Sequence, residues 1–153
     1  MSHPLTSTHP GRPTGPHSST EMPEQILVRE FHRTFDFPTR STPTLIPQQE
    51  QTLRLRLIAE ELTELKEAMA GLSLHDIAKE LGDLLYVVLG TAEQYGFNMK
   101  PIIQEIHRSN MTKQGGYKRA DGKWIKPNTY SKADLTRLMS PEPEQSVNPA
   151  SLE

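Results

Sequence analysis

Two long amphipathic patterns separated by a connection of three residues constrain this chain more than any other feature. Between Gln48 and Ala70, residues Leu55, Ile58, Leu62, Leu65 and Met69 step by three and four, with Leu72 extending the stripe. That spacing gathers side chains on one face of an α-helix. Gly71 is placed to end the helix. Ser73, with Asp76 three residues on, resembles a capping box, and it opens a second stripe of Ile77, Leu81, Leu84, Val88 and Tyr95 that Gly96 closes. A connection as short as Gly71–Ser73 makes the two helices antiparallel neighbours. An all-α fold follows as the expectation.

Shorter helical signals flank this pair. From Glu21 to Phe35, residues Ile26, Leu27, Phe31 and Phe35 repeat at helical spacing, and the proline-rich stretch from Pro38 to Pro47 reads as an extended crossover. Asn98 can cap a fourth helix that tolerates Pro101 in its first turn and carries Ile102, Ile103 and Ile106 toward Arg108. Asn110 to Tyr130 is polar and glycine-rich, with the turn pair Asp121-Gly122, and reads as a loop or loose hairpin. Ser131 and Asp134 offer a cap for a short helix through Met139. The expected organisation is a tail over residues 1–20, one domain over 21–139 and a second tail over 140–153. The first tail is Pro, Ser, Thr, His and Gly with too little apolar surface to offset ordering. Its His3, His9 and His17 have the irregular spacing of a solvated segment rather than a metal site.

Two acidic pairs border the long helices. Glu61 and Glu64 precede Leu62 and Leu65, and Glu80 and Asp83 precede Leu81 and Leu84, so each pair shares a face at the edge of the contact. With the turn centred near residue 72, Glu64 lies level with Glu80 and Glu61 with Asp83, about 12–17 Å from the turn at 1.5 Å per residue. Four carboxylates brought together repel one another unless a cation compensates. A hard dication such as Mg²⁺ or Mn²⁺ suits all-oxygen ligands. The competing reading is a solvated acidic face. A di-iron bundle needs Glu-x-x-His, and the residues three before His32, His75 and His107 are Arg29, Leu72 and Gln104.

Composition removes several other functions. The chain has no cysteine, which excludes thiolate metal sites and a thiol nucleophile. A formal net charge of −2 gives no global basicity, so no nucleic-acid partner is expected. No apolar run reaches the roughly 18 residues of a membrane span, and Met1 to Thr20 holds no secretory apolar region. The expectation is a cytoplasmic protein without a membrane partner.

The segments Glu60-Glu61-Leu62-Thr63-Glu64-Leu65 and Glu80-Leu81-Gly82-Asp83-Leu84-Leu85-Tyr86 resemble the Glu-x-x-Glu and Glu-x-x-Asp signature of the MazG-like all-α NTP pyrophosphohydrolases. Arg29-Glu30-Phe31-His32, the run Glu105 to Lys113, Ala120-Asp121-Gly122-Lys123 and Lys126-Pro127 extend the likeness toward single-domain MazG-like dUTP diphosphatases, over about Glu24 to Leu135. The resemblance implies a dimerising four-helix bundle that binds Mg²⁺ or Mn²⁺ and cleaves a nucleoside triphosphate, dUTP first, to monophosphate and pyrophosphate. It implies Glu64, Glu80 and Asp83 as metal ligands and Glu61 as a ligand or the base that activates water. Glu60, rotated about 100° from Glu61, serves another metal or faces solvent.

The resemblance also implies substrate contacts from Asn110, Lys113 and Lys126. Arg108, Lys123 and Trp124 are further candidates in the same basic segment. Lys118 and Arg119 fit a solubilising loop, and Tyr86 either borders the pocket or packs in the core. Two alternatives stay open: phosphoribosyl-ATP pyrophosphohydrolysis, and a non-catalytic metal-binding helical dimer. Leu53 and Leu57 lie off the main stripe, so the helices carry more than one apolar face for a partner subunit to cover.

Overall fold

The computed structural model describes residues 20–140. The expected terminal tails fall outside these residues apart from Thr20 and Ser140. The elements in order are α1 (Pro23–Thr34), α2 (Gln48–Gly71), α3 (Leu74–Tyr95), α4 (Met99–Met111), strands β1 (Tyr117–Lys118) and β2 (Trp124–Ile125), and α5 (Thr136–Met139). The all-α expectation with four main helices is borne out. The dominant contact joins α2 to α3, and α1 lies on α3.

The turn between the long helices differs from expectation in one residue. Gly71 is the last residue of α2, and Leu72 takes the left-handed conformation at φ 56°, ψ 27°. Ser73 then caps α3 as expected, its hydroxyl accepting from the Asp76 N–H at 3.3 Å. Gly96 closes α3 at φ 71°.

The buried line of α2 is also shifted from the leucine stripe. Beyond Glu50 and Gln51 in its first turn, Arg54, Leu57, Ile58, Glu61, Leu65 and Ala68 are its buried or half-buried positions, whereas Leu55, Leu62 and Met69 are exposed. Stepping back from Leu65 by 3.6 residues lands near Glu61, Ile58 and Arg54, so two charged residues occupy inner positions of the helix. Arg54 lies across α3, donating from Nη2 to the Val87 carbonyl at 2.6 Å and from Nε to Thr91 Oγ1 at 3.1 Å. Gly90 makes room for this: a Cβ there would lie 2.8 Å from both Arg54 Nη2 and His32 Nε2.

A polar cluster ties the far end of α3 to α1, to the crossover and to α4. Glu93 is buried and accepts from Gln25 Nε2 at 2.7 Å and from Arg29 Nε at 2.8 Å. Gln25 Oε1 accepts from the Met99 N–H, the first residue of α4, at 2.9 Å. The crossover is pinned by Arg40 N–H to the Glu93 carbonyl and Thr44 N–H to the Tyr95 carbonyl.

Asn98 caps α4 by accepting from the Lys100 N–H. Beyond that cap, α4 makes no extensive contact with another described element; Ile102 is buried, but Ile103, Ile106 and Met111 are exposed. The segment that follows forms a hairpin with Asp121-Gly122 at its tip, Tyr117 opposite Ile125 and Lys118 opposite Trp124. Asp134 accepts from the Thr136 N–H at the start of α5, although the cap position itself is Leu135, and Ser131 makes no such bond. Ser131 is engaged with α4 instead: its N–H donates to Thr112 Oγ1 and its carbonyl accepts from Ser109 Oγ. No described helix is long and apolar enough to cross a membrane.

Candidate metal centre

The register set by the Gly71–Ser73 connection brings acids from α2 and α3 together. One oxygen each of Glu61, Glu64 and Glu80 lies within 4.8 Å of the others. Glu80 is only 9% exposed; its Oε1 accepts from Lys79 Nζ at 3.0 Å, while Oε2 is buried without a hydrogen-bond partner. A buried carboxylate oxygen with no donor carries its full desolvation cost. Burial raises the Glu61 carboxyl above its usual range, and the charges of Glu64, Asp83 and Glu80 push it further, with Lys79 opposing. Three convergent carboxylates with one unsatisfied oxygen fit a hard divalent cation, which takes oxygen ligands and keeps several waters.

Asp83 stands apart from this triad. Its Oδ2 accepts from Lys79 Nζ at 2.8 Å, a partner that the sequence reading did not consider. The signal for it was available, since Lys79 precedes Asp83 by four residues on one helix face. Glu60 is not part of the triad; it lies 3.7 Å from Arg56 with more than half its side chain exposed.

An aromatic pocket begins one helical turn from the carboxylates. Leu57 sits four residues before Glu61, and Tyr86 and Val87 lie one turn beyond Asp83. With Phe31, Phe37 and Leu53 they wall a cavity of about 210 Å³. Phe31 stacks on Phe37 at 5.7 Å and meets Tyr86 edge-on at 5.6 Å. The floor is polar and buried: His32, Arg54 and Gln94. Gln94 Oε1 is buried without a partner, and burial lowers the His32 pKa, so the imidazole favours its neutral form. Tyr86 therefore borders a pocket. Arg54 and Gln94 did not emerge from the sequence, because a polar residue within an apolar stripe reads as its solvent face.

The basic candidates sit elsewhere, on the arm formed by the end of α4 and the hairpin. Lys113 Nζ donates to Asn110 Oδ1 at 2.7 Å, and Lys126 Nζ lies 4.0 Å from the Tyr130 ring centroid. Trp124 donates from Nε1 to the Lys113 carbonyl, which fixes the hairpin against the end of α4. Arg108 grips Glu105 at 2.7 and 2.8 Å and the Lys132 carbonyl at 2.9 Å. That clamp and the Asp134 N–H hold the Glu105 carboxyl down to about 2. Lys123 is exposed, its N–H donating to Asp121 Oδ1. Among the described residues Lys79 is the one cation acting on Glu61, and none of the arm cations does so.

Residues 28–110, more than half of the sequence, match the family described as phosphoribosyl-ATP pyrophosphohydrolase. The chain belongs to that family. The matched span holds all four expected acids, the aromatic pocket and Arg54. An uncharacterized protein of Acanthamoeba polyphaga mimivirus is 38% identical over 76 residues, covering 47% of this chain and 30% of that protein. The chain thus spans under a third of the length of the relative it matches.

Proposed function

We propose that this chain is a divalent-metal-dependent pyrophosphohydrolase of nucleotides acting at Glu61, Glu64 and Glu80. The observation that carries the reading is the buried, unpartnered Glu80 oxygen beside two further carboxylates, inside the span that matches the family. Glu64 and Glu80 would hold Mg²⁺ or Mn²⁺, with Asp83 joining once released from Lys79. Such an ion, when bound, supplies charge neutralisation, polarises a phosphoryl oxygen and acidifies a water. Glu61 is the acid whose surroundings raise its proton affinity, which suits it to take the proton of the attacking water. The water oxygen bonds to phosphorus, the α–β phosphoanhydride breaks, and monophosphate and pyrophosphate leave.

The substrate we propose is dUTP or a close deoxypyrimidine triphosphate. A cavity of about 210 Å³ is smaller than the roughly 300 Å³ at which whole-ligand pockets begin, so it takes one base and leaves sugar and phosphates outside. Its aromatic walls suit a stacked ring, and Gln94 Oε1 offers an acceptor for a base N–H. The second reading, phosphoribosyl-ATP, is favoured by the family match. It is disfavoured by the size of the cavity, about 210 Å³, which suits one base better than a base carrying a second phosphoribosyl arm.

The proposed unit is a homodimer. No cation of the arm acts on Glu61 of its own chain, and exposed Ile103, Ile106 and Met111 give α4 an uncovered apolar face. We read the arm as completing the partner's site, with Asn110, Lys113 and Lys126 meeting sugar and phosphate.

The test is a turnover screen of ribo- and deoxynucleoside triphosphates and phosphoribosyl-ATP, with Mg²⁺ or Mn²⁺, resolving phosphate from pyrophosphate. Fastest turnover of dUTP with pyrophosphate release is expected, and Glu61→Gln should lower the rate about 10²- to 10⁴-fold while metal still binds. Equal use of ATP, GTP and dUTP removes the dUTP assignment, and preference for phosphoribosyl-ATP establishes the second reading. No metal-dependent pyrophosphate release from any of them overturns the proposal.

A further inference from the structure

We propose that Lys79 is a built-in cation that competes with the divalent ion for Asp83 and so sets how tightly the carboxylate cluster binds metal. The inference rests on the metal-centre reading above. Its basis is a discrepancy between register and geometry. The turn places Asp83 level with Glu61, yet the triad within 4.8 Å comprises Glu61, Glu64 and Glu80 without it. Lys79 accounts for the difference, because its ammonium bridges Asp83 Oδ2 at 2.8 Å and Glu80 Oε1 at 3.0 Å. One lysine thus neutralises one oxygen of each expected α3 ligand and leaves Glu80 Oε2 without a partner.

The lysine contact is built to be given up. The side chains of Lys79 and Asp83 are 56% and 47% exposed, and exposed ion pairs of this kind are weak. The lysine also precedes the acid by four residues, the less favourable order on a helix. Asp83 can therefore exchange one cation for another by rotating its side chain, with no movement of α2 or α3. A dication offers twice the charge and binds only oxygen, so it displaces the ammonium at a cost that shows as reduced affinity. Glu80 keeps a free oxygen throughout, which lets the first contacts form before Asp83 turns.

The experiment is a Mn²⁺ titration of the full chain without nucleotide, reading free Mn²⁺ by electron paramagnetic resonance. Wild type, Lys79→Met, Lys79→Arg, Asp83→Asn and the Lys79→Met/Asp83→Asn double variant are compared. Lys79→Met should tighten Mn²⁺ binding about two- to fivefold, the size expected when an exposed ion pair no longer competes. Lys79→Arg should stay near wild type, and the gain should vanish in the Asp83→Asn background. Unchanged or weaker Mn²⁺ binding by Lys79→Met overturns the proposal, as does a gain that survives Asp83→Asn. A Glu64→Gln control separates the two levels: if wild type binds Mn²⁺ and Glu64→Gln does not, failure of Lys79→Met sinks the competition alone. If wild type binds no Mn²⁺, or Glu64→Gln binds it equally well, the metal centre fails and the competition with it.

Discussion

His32 shows how a single side chain couples the pocket to stability. Its Nδ1 lies 3.2 Å from the Pro38 carbonyl and its Nε2 faces Gly90 and the Arg54 guanidinium, so a second proton would put a charge against a buried arginine. Burial is the main cause of its lowered pKa, the Pro38 carbonyl opposes it, and the Arg54 charge lowers it further. Because the folded value lies below the ordinary one of about 6.5, the unfolded chain binds the proton more readily. The stability owed to neutral His32 is complete above about pH 6.5 and is lost as pH falls through the lower, folded value. Urea midpoints of the metal-free protein between pH 7.5 and pH 5 should fall more steeply for wild type than for His32→Gln. Parallel slopes would show that His32 takes up its proton as readily in the folded protein as in the unfolded chain, against the lowered pKa.

At the scale of elements, helix boundaries were legible and so was most of the α3 stripe, whereas the inner face of α2 was not. Ser73, Gly96 and Asn98 act at the helix ends where their local chemistry placed them, because a cap depends on neighbours within a few residues. The α2 face was misread for a tertiary reason. Leu55, Leu62 and Met69 mark an apolar stripe, but the inner position near residue 54 holds an arginine whose partners, Val87 and Thr91, lie more than thirty residues away. Likewise the acidic register was legible from the short turn, whereas the capture of Asp83 by Lys79 depended on a rotamer that spacing does not fix.

The glycines carry the clearest element-scale prediction. A Cβ on Gly96 would lie 2.1 Å from the Thr42 carbonyl oxygen, at a left-handed φ, whereas one on Gly71 would meet nothing within 4 Å. Gly96→Ala should cost about 2–5 kcal/mol from strain and overpacking together. Gly71→Ala, within a helix, should instead gain about 0.5–1 kcal/mol. Thermal unfolding of the two variants reads the contrast, and equal midpoints would contradict the described seating of the crossover on α3.

On the scale of the whole molecule, the proposed pyrophosphohydrolase site draws its acids and its cations from different elements. The carboxylates come from α2 and α3, and the basic candidates come from the end of α4 and the hairpin, where none of them acts on Glu61. Triphosphate chemistry needs both, since metal-bound phosphates still present oxygens for lysine and arginine to neutralise. Exposed Leu55, Leu62 and Met69 on α2, together with Ile103 and Ile106 on α4, provide apolar surface over which a second copy can deliver its arm. The most direct measurement mixes two variants: Glu80→Gln, which damages the carboxylates, and Lys113→Ala, which damages the arm. Each should be strongly impaired in metal-dependent pyrophosphate release when alone. After unfolding and refolding together, the mixture should regain about a quarter of wild-type activity, because half the dimers are mixed and each has one intact site. No recovery on mixing, or full activity of either variant alone, would contradict the account.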